Sequence, residues 1–201
     1  MSAQPYRAVL MFGGPGSGKG TQGVALGQLP NLVHMAMGDI FRALDKQSPI
    51  GQEFLSHSTK GLLVSDELTL RVWQNYVDQR TAAGTYKPAY HMLLLDGIPR
   101  TPAQVELMRS RIDVRKIVHL VIKDREVLVA RLKGRALKAN RPDDASEAVI
   151  RKRLEVYDQE TAPVLSCFDR KLIAEINADQ PPLAVLRDIC TVLLPFIPAD
   201  V

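Results

Sequence analysis

Gly13-Gly14-Pro15-Gly16-Ser17-Gly18-Lys19-Gly20-Thr21 follows the apolar run Ala8-Val9-Leu10-Met11-Phe12 directly, and helix-compatible residues come after it. Strand, glycine-rich loop and helix in this order make a cradle for a nucleotide phosphate. The glycines let successive backbone N–H groups converge on one anion, and the helix that opens at about Gly18 adds the positive end of its dipole. Gly14, Pro15, Gly16, Ser17, Gly18, Gly20 and Thr21 are the candidate loop contacts, and Lys19 places a mobile cation on the outer phosphates. The strict pattern G-x-x-x-x-G-K-[ST] holds from Gly13 to Lys19 and fails at its last position. Gly20 stands there, and the hydroxyl comes one residue late at Thr21. A glycine-rich turn with an incidental lysine is the plain alternative, and the flanking strand and helix argue against it.

Working outward, further apolar runs at residues 32–36, 91–95, 117–122 and 172–176 are rich in Val, Leu and Ile and separated by helix-length segments. They read as buried strands of a parallel sheet, so the fold class is α/β with a P-loop core of about five parallel strands flanked by helices. Residues 124–137 have helical spacing after an acidic start, and 148–168 read as one long helix that Pro163 kinks or ends. Pro181-Pro182 opens the last helix, which stops before Pro195. Two segments leave this layered plan: residues 38–70, helix-rich and interrupted by Pro49 and Gly61, and residues 135–146, short and polar with Pro142. Both read as flaps on a single domain.

The chain has 201 residues, 46% hydrophobic and 24% charged, which suits one soluble domain with a sizeable core. No apolar run approaches the ~20 residues needed to cross a bilayer, so no membrane partner is expected. Met1 to Arg7 lack the apolar core of a signal peptide. The two cysteines, Cys167 and Cys190, show no metal spacing, and together these features fit a reducing cytoplasm. A net charge of +4 is spread without a polybasic block, which suits small phosphorylated ligands better than a nucleic-acid groove, so no nucleic-acid partner is expected.

A second site stands at Leu93-Leu94-Leu95-Asp96-Gly97-Ile98-Pro99-Arg100-Thr101. An apolar strand ending in an aspartate beside a phosphate loop is where a carboxylate holds Mg²⁺ through water, so Asp96 is the metal candidate. Gly97 leaves room for a flat ring, and Arg100 can take phosphate oxygens in pairs. In Met37-Gly38-Asp39-Ile40-Phe41-Arg42, Asp39 is expected to cap a helix and Arg42 to face an anion. Arg131 and Arg135 share a helical face at i,i+4 spacing, followed by Arg141 and Arg153; each is as consistent with a wet surface as with a site. His34, His57, His91 and His119 fall outside these motifs and read as structural or surface residues. Trp73, at helical spacing from Val77, reads as core packing.

The motifs G-G-P-G-S-G-K-G-T, G-D-I-F-R, K-G-L-L-V-S-D-E, L-D-G-I-P-R-T-P-A-Q and R-P-D-D followed by R-K-R resemble the successive motifs of the adenylate kinases, in family order and over most of the chain. The resemblance implies a nucleoside-monophosphate-binding insertion at 38–70 and a lid at 135–146 of the short kind without a zinc knot. The core is then 1–37, 71–134 and 147–201. It implies the reversible reaction of ATP and AMP to two ADP with Mg²⁺, by a monomer. Lys19 resembles the phosphate-loop lysine, and Arg42 and Arg100 the arginines on the AMP phosphate. Arg131, Arg135, Arg141 and Arg153 resemble the lid and hinge arginines around the transferring group. Gln104 stands where the family's glutamine reads the adenine edge, with Met37, Gly38, Gly97 and the backbone at Leu63 and Val64 completing that pocket. Gln180 follows where the ring of ATP lies.

Phosphoryl transfer suits such a set, because its transition state spreads charge over equatorial oxygens and needs alignment and cations more than a strong base. Two closing flaps would exclude water. Some positions depart from the family. Ala36-Met37 replaces a serine-threonine pair, Ile98 a phenylalanine and Ala178 a glycine. One extra residue between Asp144 and Arg153 leaves Arg151 as the alternative to Arg153. Two further readings stay open: a monophosphate kinase for another base, and a nucleotide-binding sensor without turnover.

Overall fold

The computed structural model describes residues 4–139 and 146–197. Among them, five parallel strands form one sheet in the order β2-β3-β1-β4-β5. These are β1 (Tyr6–Phe12), β2 (Leu32–Ala36), β3 (Met92–Asp96), β4 (Ile112–Val121) and β5 (Ile173–Asn177). Ala8 aligns with Leu93 on one side of β1 and with Val114 on the other, and the register against β4 shifts once, between Ala8 and Val9. β4 begins at Ile112, ahead of the apolar run at 117–122, because its first turns alternate buried and exposed and hide the strand from a search for continuous hydrophobicity.

Successive residues of the central strands go to opposite faces, and each face has its own cover. Ala8, Leu10, Leu93 and Leu95 pack with Trp73 and Val77 of α4 (Asp66–Ala82), and with Val105 and Met108 of α5 (Pro102–Met108). Val9, Met11, Leu94 and Val118 pack with Leu26 of α1 (Lys19–Leu26), and with Val185 and Ile189 of α8 (Pro182–Leu193). Trp73 is 0% exposed and meets Tyr6 edge-on, as its spacing predicts. A third apolar cluster, Leu128, Val129 and Leu132 with Ile150 and Leu154, joins α6 (Arg125–Ala139) to α7 (Glu147–Val156) on either side of the segment 140–145.

Two helices leave the sheet after β2: α2 (Met37–Ala43) and α3 (Pro49–Ser58). Ser48 caps α3, its hydroxyl accepting from the Gly51 N–H at 3.1 Å with Pro49 behind it; Thr101 does the same for α5 through Gln104 N, followed by Pro102. Asp39 does not cap α2. The helix starts at Met37 with Ala36 as its cap residue, which leaves Asp39 inside the first turn, where its charge still favours the dipole. The helix expected over 148–168 is also shorter. Its α-ladder ends at Val156, loosens into a π-turn over Tyr157–Thr161 and tightens into a 3₁₀ segment over Ala162–Cys167. Pro163 lacks an N–H and crowds the carbonyl four residues earlier, so the ladder has changed pitch before it reaches the ring.

Candidate active site

The phosphate loop joins the centre of the sheet to α1. Gly13 (φ 144°) and Gly16 (φ 85°) have backbone angles that side chains avoid. A Cβ on Gly13 would sit 2.7 Å from the Leu120 carbonyl, and one on Gly16 would sit 2.9 Å from the Leu128 carbonyl. Both glycines are therefore fixed by the close approach of β4 and α6. Ser17 N closes the loop on Gly14 O at 3.1 Å, and Gly18 brings no side chain to the first N–H groups of α1.

Lys19 Nζ donates to the carbonyls of Gly13 at 2.5 Å and Gly14 at 3.2 Å. Its pKa is lowered to about 8, first by burial and further by the positive charges of Arg100, Arg153 and Arg135, with Asp96 opposing. Cations from the β3–α5 turn, α6 and α7 thus converge on the lysine of α1, around one carboxylate at the end of β3. Asp96 lies against the first turn of α1, where a Cβ on Gly20 would be 3.9 Å from its Oδ2. One carboxylate beside a phosphate cradle fits Mg²⁺ that arrives with a nucleotide and keeps its waters; among the described residues no group of three His, Cys, Asp or Glu offers a protein-only cage.

The remaining sequence candidates divide by location. Arg42 Nη2 meets Asp39 Oδ1 at 2.6 Å, and its guanidinium lies over Gly38, where a Cβ would be 2.9 Å from Nη2. Gly97 (φ 82°) packs equally tightly under Arg100, at 2.8 Å. Gln104 is 1% exposed; its Oε1 accepts from Arg100 N at 2.7 Å and its Nε2 donates to Asp66 Oδ1 at 2.8 Å, so its amide braces the turn that carries Arg100. Met37 is 1% exposed and belongs to the core, while Leu63 and Val64 are half-buried beside the start of α4. Arg131 is not among the charges acting on Lys19. It donates to Ala178 O at 3.1 Å and reaches Asp179 at 3.6 Å, beside the loop in which Gln180 bonds to Asn177 O and Asp188. Arg151 is held on the surface by Glu126 and Glu147, whereas Arg153 acts on Lys19. Arg141 lies outside the described residues.

Two features of the site carry no sequence signal of their own. Asp66 also accepts from Thr101 Oγ1 at 2.9 Å, so one carboxylate ties α4 to the Arg100 turn. Tyr157 stands beside the phosphate loop, its ring near Gly14, where a Cβ would be 3.8 Å from its Cδ1, and its hydroxyl lies 3.5 Å from His119 Nε2. Asp66 lies within the quoted K-G-L-L-V-S-D-E motif, which is the one hint of its place; a tyrosine at a helix end gives none.

Comparison with known proteins adds an independent line. The sequence profile of the family described as "Adenylate kinase" matches residues 11–173. The chain is similar to the "Adenylate kinase" of Cyanothece sp. (strain PCC 7425 / ATCC 29141), 37% identical over 188 residues that cover 90% of this chain and 92% of the relative. It is 38% identical over 176 residues to that of Bifidobacterium longum, covering 84% and 90% of the two chains. It is 32% identical over 202 residues to that of Mycoplasma pneumoniae, covering 87% and 91%.

Proposed function

The chain belongs to the adenylate kinase family, and from that premise we propose that it transfers the terminal phosphoryl group of ATP to AMP, reversibly, giving two ADP. The observation that supports this most directly is the convergence of Arg100, Arg135 and Arg153 on Lys19 and Asp96. Cations that act on one lysine repel one another and depress its pKa; a polyphosphate reverses that sign.

In this reading the loop from Gly14 to Thr21 and Lys19 hold the donor phosphates, with Arg131, Arg135 and Gln180 toward the ring of ATP. Arg42 and Arg100 hold the acceptor phosphate, and Met37, Gly38, Leu63, Val64, Gly97 and Gln104 form its base pocket. Arg141 and Arg153 complete the charge on the transferring group. Asp96 would hold the nucleotide's Mg²⁺ through water, and that ion supplies charge neutralisation on the phosphates. Residues 38–70 and 135–146 act as the two flaps, closing to exclude water so that the phosphoryl group meets AMP and not solvent. The protein works as a cytoplasmic monomer in adenine-nucleotide balance. The Met37 side chain lies in the core, so the hydroxyl lost there is exchanged for packing.

Purified protein with Mg-ATP and, separately, AMP, UMP, CMP, GMP or dAMP, followed by chromatography of the diphosphates, tests the proposal. Rapid ADP formation with AMP alone is expected. Turnover with another base would reassign the acceptor, and none with any would leave a nucleotide sensor.

A further inference from the structure

We propose that Asp66 is a positioning residue that fixes the polarity of the Gln104 amide, and through that amide selects an acceptor base whose six-position carries an amino group and not a carbonyl; this rests on the adenylate kinase reading, with Gln104 at the acceptor base.

Asp66 is the first residue of α4 and Thr101 the cap residue of α5, so the two helices begin side by side at the turn that carries Arg100. Leu63 and Val64, assigned to the same pocket, come just before Asp66 in the chain. Four hydrogen bonds join these elements, and the chemistry of the partners gives each a direction. A backbone N–H only donates, so the Gln104 atom that Arg100 N meets at 2.7 Å is the carbonyl oxygen, Oε1. The other end of the amide is then Nε2, which donates to Asp66 Oδ1 at 2.8 Å. Thr101 Oγ1 accepts the Gln104 N–H at 3.1 Å and gives its own hydrogen to the same Oδ1 at 2.9 Å. Gln104 is 1% exposed, so little water competes for these bonds.

Turning the amide over would set its nitrogen against the Arg100 N–H and its oxygen against the Asp66 carboxylate, two donors face to face and two acceptors face to face. The Arg100 N–H is backbone and is present whatever side chain stands there. Asp66 is the constraint that the sequence adds. A primary amide has two N–H groups and two carbonyl lone pairs, and these partners use one of each. What remains for a ligand is one N–H and one lone pair in a fixed order. Adenine complements such a pair, because its N1 accepts and its N6 amino group donates. Hypoxanthine has nearly the same outline with both signs reversed: its N1–H donates and its O6 accepts. A free amide turns over to serve either base, whereas a held one serves one of them and rejects the other.

The test measures kcat/KM for AMP and for inosine 5′-monophosphate, at fixed Mg-ATP, in wild type, Asp66→Ala, Asp66→Asn and the double variant Asp66→Ala/Gln104→Ala, with Gln104→Ala as its reference. Wild type should prefer AMP at least about a hundredfold, since the wrong base leaves two mismatched pairs. Asp66→Ala should lower that preference at least about fivefold, with KM for ATP within about twofold of wild type. A purely structural injury would slow both acceptors together and leave the ratio where it was. Both bonds end on Oδ1, so Asp66→Asn, which keeps a carbonyl oxygen there, should hold the preference within about twofold of wild type. The double variant should show no lower preference than Gln104→Ala, because Asp66 acts through that amide. If Asp66→Ala does not fold, Asp66→Leu, of similar size and without an acceptor, takes its place. An undiminished preference in the variant without an acceptor would overturn the proposal, and so would an Asp66→Asn variant no better than Asp66→Ala. Calorimetric titration with each monophosphate in the absence of ATP should rank the variants in the same order. It reads the amide even if wild type turns over no AMP, an outcome that would count against the kinase reading alone.

Discussion

Arg42 and Asp39 face each other one helical turn apart, with Nη2 and Oδ1 separated by 2.6 Å. The arginine assigned to the acceptor phosphate is therefore one that a phosphate must win from a carboxylate. The pair is partly exposed, so its worth is at most about 1 kcal/mol. Asp39→Asn should lower KM for AMP by roughly two- to fivefold with little change in kcat, as the ceiling on the pair implies. Steady-state kinetics with AMP varied will show it; a higher KM would mean that Asp39 aims the guanidinium and does not compete for it.

Lys19 gives a pH signature. With a pKa of about 8 in the free protein, most of it is neutral at pH ~8.5, and phosphate oxygens favour the charged form. ATP binding at that pH should take up about three-quarters of a proton, and affinity should fall as pH rises through about 8. Calorimetry in buffers of different ionisation enthalpy measures the uptake, which should vanish near pH 6.5 and in Lys19→Met. Equal uptake in Lys19→Met would assign the proton to another group.

Removing Arg100 tests the catalytic cluster. Arg100→Ala should cut turnover at least about a hundredfold, near 2.7 kcal/mol, by removing an oriented cation from the developing charge. A near-normal rate would sink the role.

The two arginines of α7 separate by the same logic. Arg153 acts on Lys19, while Arg151 is spent on Glu126 and Glu147. Arg153→Ala should lose at least about tenfold in kcat, whereas Arg151→Ala should stay within about twofold, since it breaks only exposed ion pairs. The reverse order would move the hinge arginine by two positions.

Gln104→Ala removes the acceptor of Arg100 N and a donor to Asp66 at a site 1% exposed. Asp66 keeps the Thr101 hydroxyl, but losing the acceptor of Arg100 N costs about 1–3 kcal/mol, so a lower melting temperature should accompany a higher KM for AMP. Loss of AMP affinity at unchanged stability would instead mean that the amide serves the base alone.

Much of this was readable from residues. The loop from Gly13 to Thr21 and the strand ending at Asp96 announce themselves because their chemistry is local: glycines where the backbone must approach an anion, an apolar run where a strand is covered on both faces. What stayed hidden depends on partners distant in sequence. Asp39 looked like a cap because caps are short-range, but the chain turned helical at Met37 first. The π-turn at Tyr157 is set by a proline six residues on. Counting residues left Arg151 and Arg153 equivalent. They differ in which side of α7 faces Lys19, and only the packing of α7 on α6 through Ile150 and Leu154 decides that.

The sheet order has one more consequence. Because β1 is the middle strand, the residues assigned to the acceptor follow β2 and β3 on one flank, and those assigned to the base of the donor follow β4 and β5 on the other. The two flanks meet at the glycine loop and again where Gly61 packs against Val149 and Arg153 of α7. A lineage drifting toward a new acceptor base would need to rewrite mainly one flank, with the loop as a pivot inherited intact, so that donor and acceptor preference can evolve as largely separate traits of a single gene.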